Sequence, residues 1–295
     1  MKTTPTHRAL LLMTASATFF GLMAFSAKLA TARLSGPQVA MIRFAVGLTP
    51  VLFIPKYRRA AMHFQRLDLL FLRGFFGGMA VLFYFIAISH INVGVATLLN
   101  YTAPIFSGMF SLLFIGEKIS PRVLIPAPIA FFGIYLVVRA QPTLGKWEMF
   151  GLLSAVCSGA AVTAMRRARR GENSWSVYAS FCLLGLLTCA PFGIATWKMP
   201  HHSELMPLAL TSLFAIGAQV LLTFSLRWID AMTVGVISQL AVPIAMILGA
   251  TLLNETIPPA AVVGTMLTLS GVVGVVYVTS LTKRVVSANE IISES

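Results

Sequence analysis

Two stretches of 27 residues, 139 positions apart, decide the fold of this chain. "GMAVLFYFIAISHINVGVATLLNYTAP" runs from Gly78 to Pro104, and "GAQVLLTFSLRWIDAMTVGVISQLAVP" runs from Gly217 to Pro243. They align without a gap and share six identities. Farther on, one deleted residue brings "GEKISP" opposite "NETIPP", so that Glu117 aligns with Glu255. These landmarks follow the same order in each half, which predicts an internal repeat.

The composition predicts that this repeat lies within a lipid membrane. The 295 residues are 57% hydrophobic and 11% charged, with a mean hydropathy of +0.85, whereas a soluble domain carries about 25% charged residues. A helix needs roughly 20 apolar residues to cross a bilayer. Apolar runs divided by Pro, Gly, Asn or charge predict ten such helices, at residues 9–30, 37–55, 68–89, 93–115, 122–139, 147–165, 175–197, 206–227, 231–253 and 259–281.

The predicted fold is therefore an all-α integral membrane protein. Residues 1–142 form a first five-helix repeat and residues 143–295 a second. Because five is an odd number, the second repeat must cross the membrane in the opposite direction to the first. Two inverted repeats are typical of secondary transporters, which place the substrate between the halves near the middle of the membrane.

The distribution of charge predicts the orientation. Ten spans place both termini on one side, together with 16 of the 22 basic residues, while five lie on the other side and Arg43 alone falls within a span. Lys and Arg concentrate in cytoplasmic loops, so we expect a multi-pass protein of a bacterial-type inner membrane with both termini in the cytoplasm. The net charge of +13 is spread over several short loops, which disfavours a nucleic-acid partner.

The remaining expectations on partners come from motifs. The three cysteines lie in apolar runs without metal-ligand spacing, and the chain carries no phosphate-loop pattern, so we expect neither a metal nor a cofactor. The G-x-x-x-G pair Gly74 and Gly78 predicts close helix packing. The expected partners are a small-molecule substrate and the lipid bilayer, for a monomer or a weak homodimer.

Ionisable residues are the next candidates. All nine acids lie at predicted helix ends, in loops or in the carboxyl-terminal tail, so we expect transport without a carboxylate proton relay. Arg43 lies roughly 9–10 Å into the second span at 1.5 Å per residue. Two interpretations stay open for it: a side chain that snorkels to the interface or packs between helices, and a partner for a substrate carboxylate. Lys28, at the end of the first span, is interpreted as an interfacial anchor.

Polar residues in the repeated stretches are candidates for substrate binding. Asn100 and Gln239 align, and each lies four residues before a proline, Pro104 or Pro243, on the same helical face. The prolines predict bends, and the backbone carbonyls they free must be satisfied within the protein or by a ligand. Ordinary hydrogen bonding between helices is the alternative for both amides. Further candidates, with side-chain packing as the alternative, are Tyr84 with its counterpart Thr223, then Gln219 and Tyr101.

The chain resembles the drug/metabolite transporter superfamily. Two five-helix halves and "RF" at Arg43–Phe44 carry the resemblance, and Glu-x-Ile after the proline-bearing fourth and ninth spans points to its EamA-type exporters. The resemblance implies a ten-helix bundle with both ends in the cytoplasm that exports amino acids or other small metabolites, and in some members amphipathic drugs.

These observations predict a secondary transporter that exports small organic metabolites, amino acids or related compounds, by alternating access. A carrier of broad amphipathic drugs and metabolites, in either direction, is the alternative, and a polytopic membrane enzyme is a weaker one. The pocket is expected between the third, fourth, eighth and ninth spans. Glu117 and Glu255 are expected to mark its two ends, each accepting hydrogen bonds from the amino end of the helix that follows Pro121 or Pro259.

Overall fold

The computed structural model describes residues 5–62, 64–115, 125–139, 145–168, 171–225 and 231–294, and these ranges form helices and short connections without strands. The helices are α1 Pro5–Ala30, α2 Gly36–Phe53, α3 Pro55–Ala61, α4 Leu67–His90, α5 Val93–Asn100, α6 Ala103–Ile115, α7 Pro126–Arg139, α8 Lys146–Ala168, α9 Ser174–Ala195, α10 His202–Ser225, α11 Ala231–Ser238, α12 Ala241–Leu252 and α13 Pro259–Glu294.

Ten apolar segments cross the bundle, as predicted. Among the described residues, eight helical segments are long and apolar enough to span a membrane, and two shorter apolar helices, Pro126–Arg139 and Pro259–Val275, provide the last span of each half. The short helix α3 is mostly exposed and follows α2 directly. The protein is thus an all-helical, multi-pass membrane protein.

The fourth and ninth spans differ from the prediction. Each was expected to be one bent helix, and each is two short helices instead, interrupted at Tyr101–Thr102 and at Gln239–Leu240. Pro104 and Pro243 then fall in the first turns of α6 and α12. The first four N–H groups of a helix have no intrahelical partner, so a proline there costs no hydrogen bond. The chain has broken each helix just before its proline.

Packing between the halves follows the symmetry of the repeat. The first span (α1) packs on the eighth (α10), and the sixth span (α8) packs on the third (α4). These two contacts are equivalent, because the sixth span corresponds to the first and the eighth to the third. The second packs on the seventh, and the fifth on the tenth, through α2 with α9 and α7 with α13. Such reciprocal contacts are what two inverted five-helix repeats produce.

The G-x-x-x-G pair makes one of these contacts. A Cβ atom at Gly74 would lie 2.5 Å from the carbonyl oxygen of Ser180, and one at Gly78 would lie 2.8 Å from the Cα atom of Gly185. Helices α4 and α9 therefore touch backbone to backbone at this motif. This close approach also holds the nearby Arg73 of α4 against α9.

Candidate functional site

A cavity of about 330 Å³ lies between the two repeats. The third, fourth, eighth and ninth spans line it, as expected, and the first, second, sixth and seventh contribute as well. Its lining combines apolar and polar side chains: Phe20, Met23, Arg43, Arg73, Val81, Tyr84, Asn100, Tyr101, Ala103, Pro104, Ser107, Ser158, Val162, Met165, Phe181, Gln219, Leu222, Val234, Gly235, Ser238 and Gln239. The volume falls in the range of small-molecule pockets.

Most of the binding residues proposed from the sequence meet in this cavity. Those in its lining are Arg43, Tyr84, Asn100, Tyr101, Gln219 and Gln239, together with Pro104. Pro243 is not among the lining residues. Glu117 lies outside the described residues, and the structure does not describe the side chain of Thr223. Their roles in binding stay predictions.

Polar side chains of the third, fourth and sixth spans form hydrogen bonds beside the cavity. The Tyr84 hydroxyl lies 2.8 Å from the Thr97 hydroxyl, which donates to the Val93 carbonyl at 2.7 Å. Asn100 Oδ1 accepts from Ser154 Oγ at 2.6 Å and from Ser158 Oγ at 3.2 Å. The Asn100 side chain thus links the fourth span to the sixth, which supports the alternative of hydrogen bonding between helices. These bonds use only its Oδ1 atom, and its Nδ2 donor forms no hydrogen bond with the described residues.

Gln239 connects the two broken spans. Its Nε2 atom donates to the carbonyl oxygen of Tyr101 at 3.2 Å, so the break in one repeat is bonded to the break in the other. The Oε1 atom of the same side chain is buried and has no hydrogen-bond partner among the described residues. A buried acceptor without a partner costs about 1–3 kcal/mol, and a ligand donor in the cavity would satisfy it.

Arg43 does not snorkel to an interface. Its side chain is only 7% exposed, and its guanidinium carbon lies 5.2 Å from the Phe44 ring centroid and 5.8 Å from that of Phe85. Nε and Nη1 are buried without a hydrogen-bond partner among the described residues. The aromatic neighbours hold the guanidinium inside the bundle, at the edge of the cavity.

Arg73 is a cavity residue that the sequence interpretation missed. It was counted among the basic residues of the loops, but it is only 8% exposed, and its guanidinium carbon lies 4.2 Å from the Phe181 ring centroid. Its Nε atom also lacks a hydrogen-bond partner among the described residues. The guanidinium folds back over Gly77, where a Cβ atom would collide with Arg73 Nη1. A signal was available, because six residues of α4, five apolar and one acidic, precede Arg73, and neither Leu69 nor Gly77, four positions away on each side, can pair with it.

Carboxylates stay away from the cavity in the described part of the chain. The acids described there with side chains (Asp68, Glu148, Glu172, Glu204 and Glu255) are absent from its lining. In the same residues, no group of three or more His, Cys, Asp or Glu side chains is arranged to hold a metal ion. The two arginines therefore give the cavity lining a formal charge of +2.

One end of the bundle is closed by contacts between the repeats. The carboxylate of Glu255 accepts the backbone N–H of Val93, with its two oxygens 3.0 and 3.2 Å away. Glu255 Oε1 lies 3.7 Å from Lys28 Nζ. Asn92 Nδ2 donates to the carbonyl of Thr256 at 2.9 Å. Burial raises the pKa of Glu255 above its usual value, although Lys28 and the Val93 N–H oppose that rise.

Two expectations are corrected at this closed end. Glu255 caps the amino end of α5 in the other repeat, and not the helix that follows Pro259. Lys28 is no simple interfacial anchor, because its Nζ donates to the carbonyls of Ile88 and Ile91 at 2.9 and 2.7 Å. Both corrections have one cause: residues far apart in the chain meet where α1, α5 and α12 converge.

An inverted repeat with broken spans and a cavity between its halves is the architecture of secondary transport proteins. The sequence profile of the EamA-like transporter family matches residues 7–139 and again residues 145–277. The chain belongs to the EamA-like transporter family.

Individual relatives agree with this membership. The chain is 26% identical over 183 residues to the pseudopaline exporter CntI of Pseudomonas aeruginosa strain UCBPP-PA14, a match that covers 61% of this chain and 64% of CntI. It is 26% identical over 233 residues to the threonine/homoserine exporter RhtA of Escherichia coli K12, covering 76% of each. A solved crystal structure covers 93% of this chain and 98% of its own with a TM-score of 0.64 at 18% identity, which shows the shared fold.

The match leaves part of the relatives unaccounted for. The chain spans less than two thirds of the length of CntI, at 64% in the one strain and 61% in the strain PAO1 protein. The sequence profile establishes the family, and the structural match establishes the fold. The substrates named for the relatives apply to those proteins alone.

Proposed function

We propose that this protein is a secondary transporter that exports small organic metabolites, amino acids or related compounds, by alternating access. The observation that carries the proposal is the cavity between the inverted repeats, in which buried donors of Arg43 and Arg73 and a buried acceptor of Gln239 have no hydrogen-bond partner in the part of the chain that the structure describes. A carboxylate together with an N–H or O–H donor satisfies both kinds of group. Exporters among the relatives, CntI and RhtA, support the direction of transport.

The closed end supports alternating access. Contacts of Glu255 with Val93 and Lys28 join the two repeats at that end. We propose that both termini lie in the cytoplasm; this end then faces the periplasm, and its contacts close the pathway on the periplasmic side. Export then requires these contacts to separate while the opposite end closes.

Broad efflux of amphipathic drugs is the second candidate function. The apolar lining, which includes Phe20, Met23 and Leu222, favours it. The two arginines disfavour cationic drugs, because like charges repel strongly where water is excluded. The membrane-enzyme alternative keeps no observation in its favour beyond the cavity itself.

Counterflow in proteoliposomes tests the proposal. Vesicles containing the purified protein are loaded with one compound of a panel of amino acids, nucleotide precursors and cationic drugs, and uptake of the labelled compound is measured against protein-free vesicles. We expect exchange of at least one amino acid. Exchange of cationic drugs alone would favour the second candidate, and exchange of no compound would refute the transport function.

A further inference from the structure

Arg43 and Arg73 meet around one aromatic ring. Their guanidinium carbons lie 5.9 and 4.2 Å from the ring centroid of Phe181, so the two carbons are at most about 10 Å apart, the sum of those distances. Both side chains are more than nine-tenths buried. Among the described residues, no carboxylate forms an ion pair with either of them. Two cations of the first repeat thus share one site against an aromatic ring of the second repeat, Phe181 of α9.

The ring does not compensate for the burial of these charges. The attraction between a cation and an aromatic face is weaker than the cost of removing that cation from water, even after the surroundings relax. The aromatic contact therefore does not offset the cost of burying the two guanidinium groups. In agreement with this, Arg43 Nε and Nη1 and Arg73 Nε have no hydrogen-bond partner among the described residues. The described residues do not supply these partners, whereas a ligand in the cavity would.

We propose that the transported substrate is a small organic anion with at least two carboxylate groups, one for each arginine. This inference rests on the transport function proposed above and specifies its substrate class. A zwitterion with one carboxylate leaves the total charge of the filled cavity at its initial +2, whereas an amino dicarboxylate reduces it to +1 and a dicarboxylate without an amino group reduces it to zero. Guanidinium groups bind carboxylates through paired N–H···O hydrogen bonds, so geometry as well as charge favours this class.

The remaining cavity surface completes the description of the substrate. The free Oε1 acceptor of Gln239 takes an N–H or O–H group. Phe20, Met23 and Val234 give an apolar wall, against which a short carbon skeleton packs. Amino dicarboxylates have all of these features.

A pair of compounds of equal size and shape tests the inference. Glutamate and glutamine differ by one carboxylate in place of an amide, as do aspartate and asparagine. In counterflow with the purified full-length protein, we expect the acid of each pair to exchange at least tenfold faster than its amide. Equal or faster exchange of the amides would overturn the anion proposal and leave the transport function standing. Failure of these four compounds and of the wider panel would overturn both.

Variants connect the selectivity to the arginines. Arg73→Gln and Arg43→Gln should each raise the half-saturating glutamate concentration at least tenfold and bring the glutamate-to-glutamine ratio toward one, while Arg73→Lys should retain part of the preference. Arg66→Gln is the matched control, because Arg66 is half exposed and pairs with Asp68 outside the cavity. Unchanged selectivity in both Gln variants would overturn the assignment. If neither variant folds, the comparison of acids with amides in the wild-type protein decides.

Discussion

Replacing Glu255 by alanine should open one end of the bundle. The carboxylate holds the Val93 N–H at the amino end of α5, and a hydrogen bond to a charged group contributes about 1.5–3 kcal/mol. The ion pair with Lys28 is partly exposed, with side chains 23% and 11% accessible, and such pairs add at most about 1 kcal/mol. Lys28 keeps its bonds to two carbonyls, so little of that second contribution is lost.

The closed end should therefore lose about 2–3 kcal/mol. At 1.4 kcal/mol for each factor of ten, this shifts the equilibrium between closed and open ends by roughly 30- to 150-fold. Hydrogen–deuterium exchange of the purified protein in nanodiscs measures the shift directly. We expect the amides in the first turn of α5, Val93 to Ala96, to exchange faster by that factor, and Glu255→Gln to show a smaller acceleration because its amide oxygen still accepts a hydrogen bond.

The control for this experiment is Asp68→Asn. Asp68 is also an acid at a helix start, but it is exposed and pairs with Arg66 on the surface, so its replacement should leave the α5 amides unchanged. Unaltered exchange at Val93 in Glu255→Ala would refute the closing role of Glu255. Equal acceleration throughout α8 would refute it too, because it would indicate global destabilisation instead of local opening.

Three further changes give distinct results. Gly77→Ala should weaken glutamate exchange about tenfold, because the added Cβ displaces the Arg73 guanidinium and lies 2.8 Å from Phe181 Cδ2. An unchanged rate of glutamate exchange would show that the guanidinium does not lie against Gly77. Gln239→Ala removes the bond to the Tyr101 carbonyl and also the unpartnered Oε1 acceptor, two contributions of about 1 kcal/mol or more with opposite signs. The midpoint of thermal denaturation should therefore change little, and a large fall would show that Oε1 has a partner. For Glu255 the folded pKa is raised, so the folded protein binds the extra proton, and the stability of wild type relative to Glu255→Gln should fall as pH rises above about 4.5. A difference that grows with pH would show that the Lys28 pair outweighs burial.

The sequence predicted the features that depend on composition and on repetition. Apolar lengths determine the spans, and the alignment of Asn100 with Gln239 identified two residues that both face the central cavity. The breaks in the fourth and ninth spans were predicted as bends, because a proline shows where a hydrogen bond is lost but not how the chain rearranges before it.

Contacts between distant residues could not be predicted in the same way. Glu255 reaches Val93 across 162 positions, and no local pattern encodes that pairing. Arg73 was counted with the cytoplasmic basic residues although it lies near the start of the predicted span 68–89, because the sequence does not show whether a long basic side chain extends to the interface or folds back into the bundle. Arg43 looked able to snorkel, since the sequence does not show that Phe44, Phe85 and Phe181 would surround it.

The reciprocal packing of the repeats has a consequence for biogenesis. Helix α1 packs mainly on α10, α4 on α8 and α9, and α7 on α13, so the first half finds most of its neighbours in a half that the ribosome has not yet made. The newly inserted helices must wait in the bilayer as separate spans until their counterparts arrive. Two fragments divided between residues 142 and 143 should accordingly be degraded when either is produced alone, and should accumulate when both are produced in one cell.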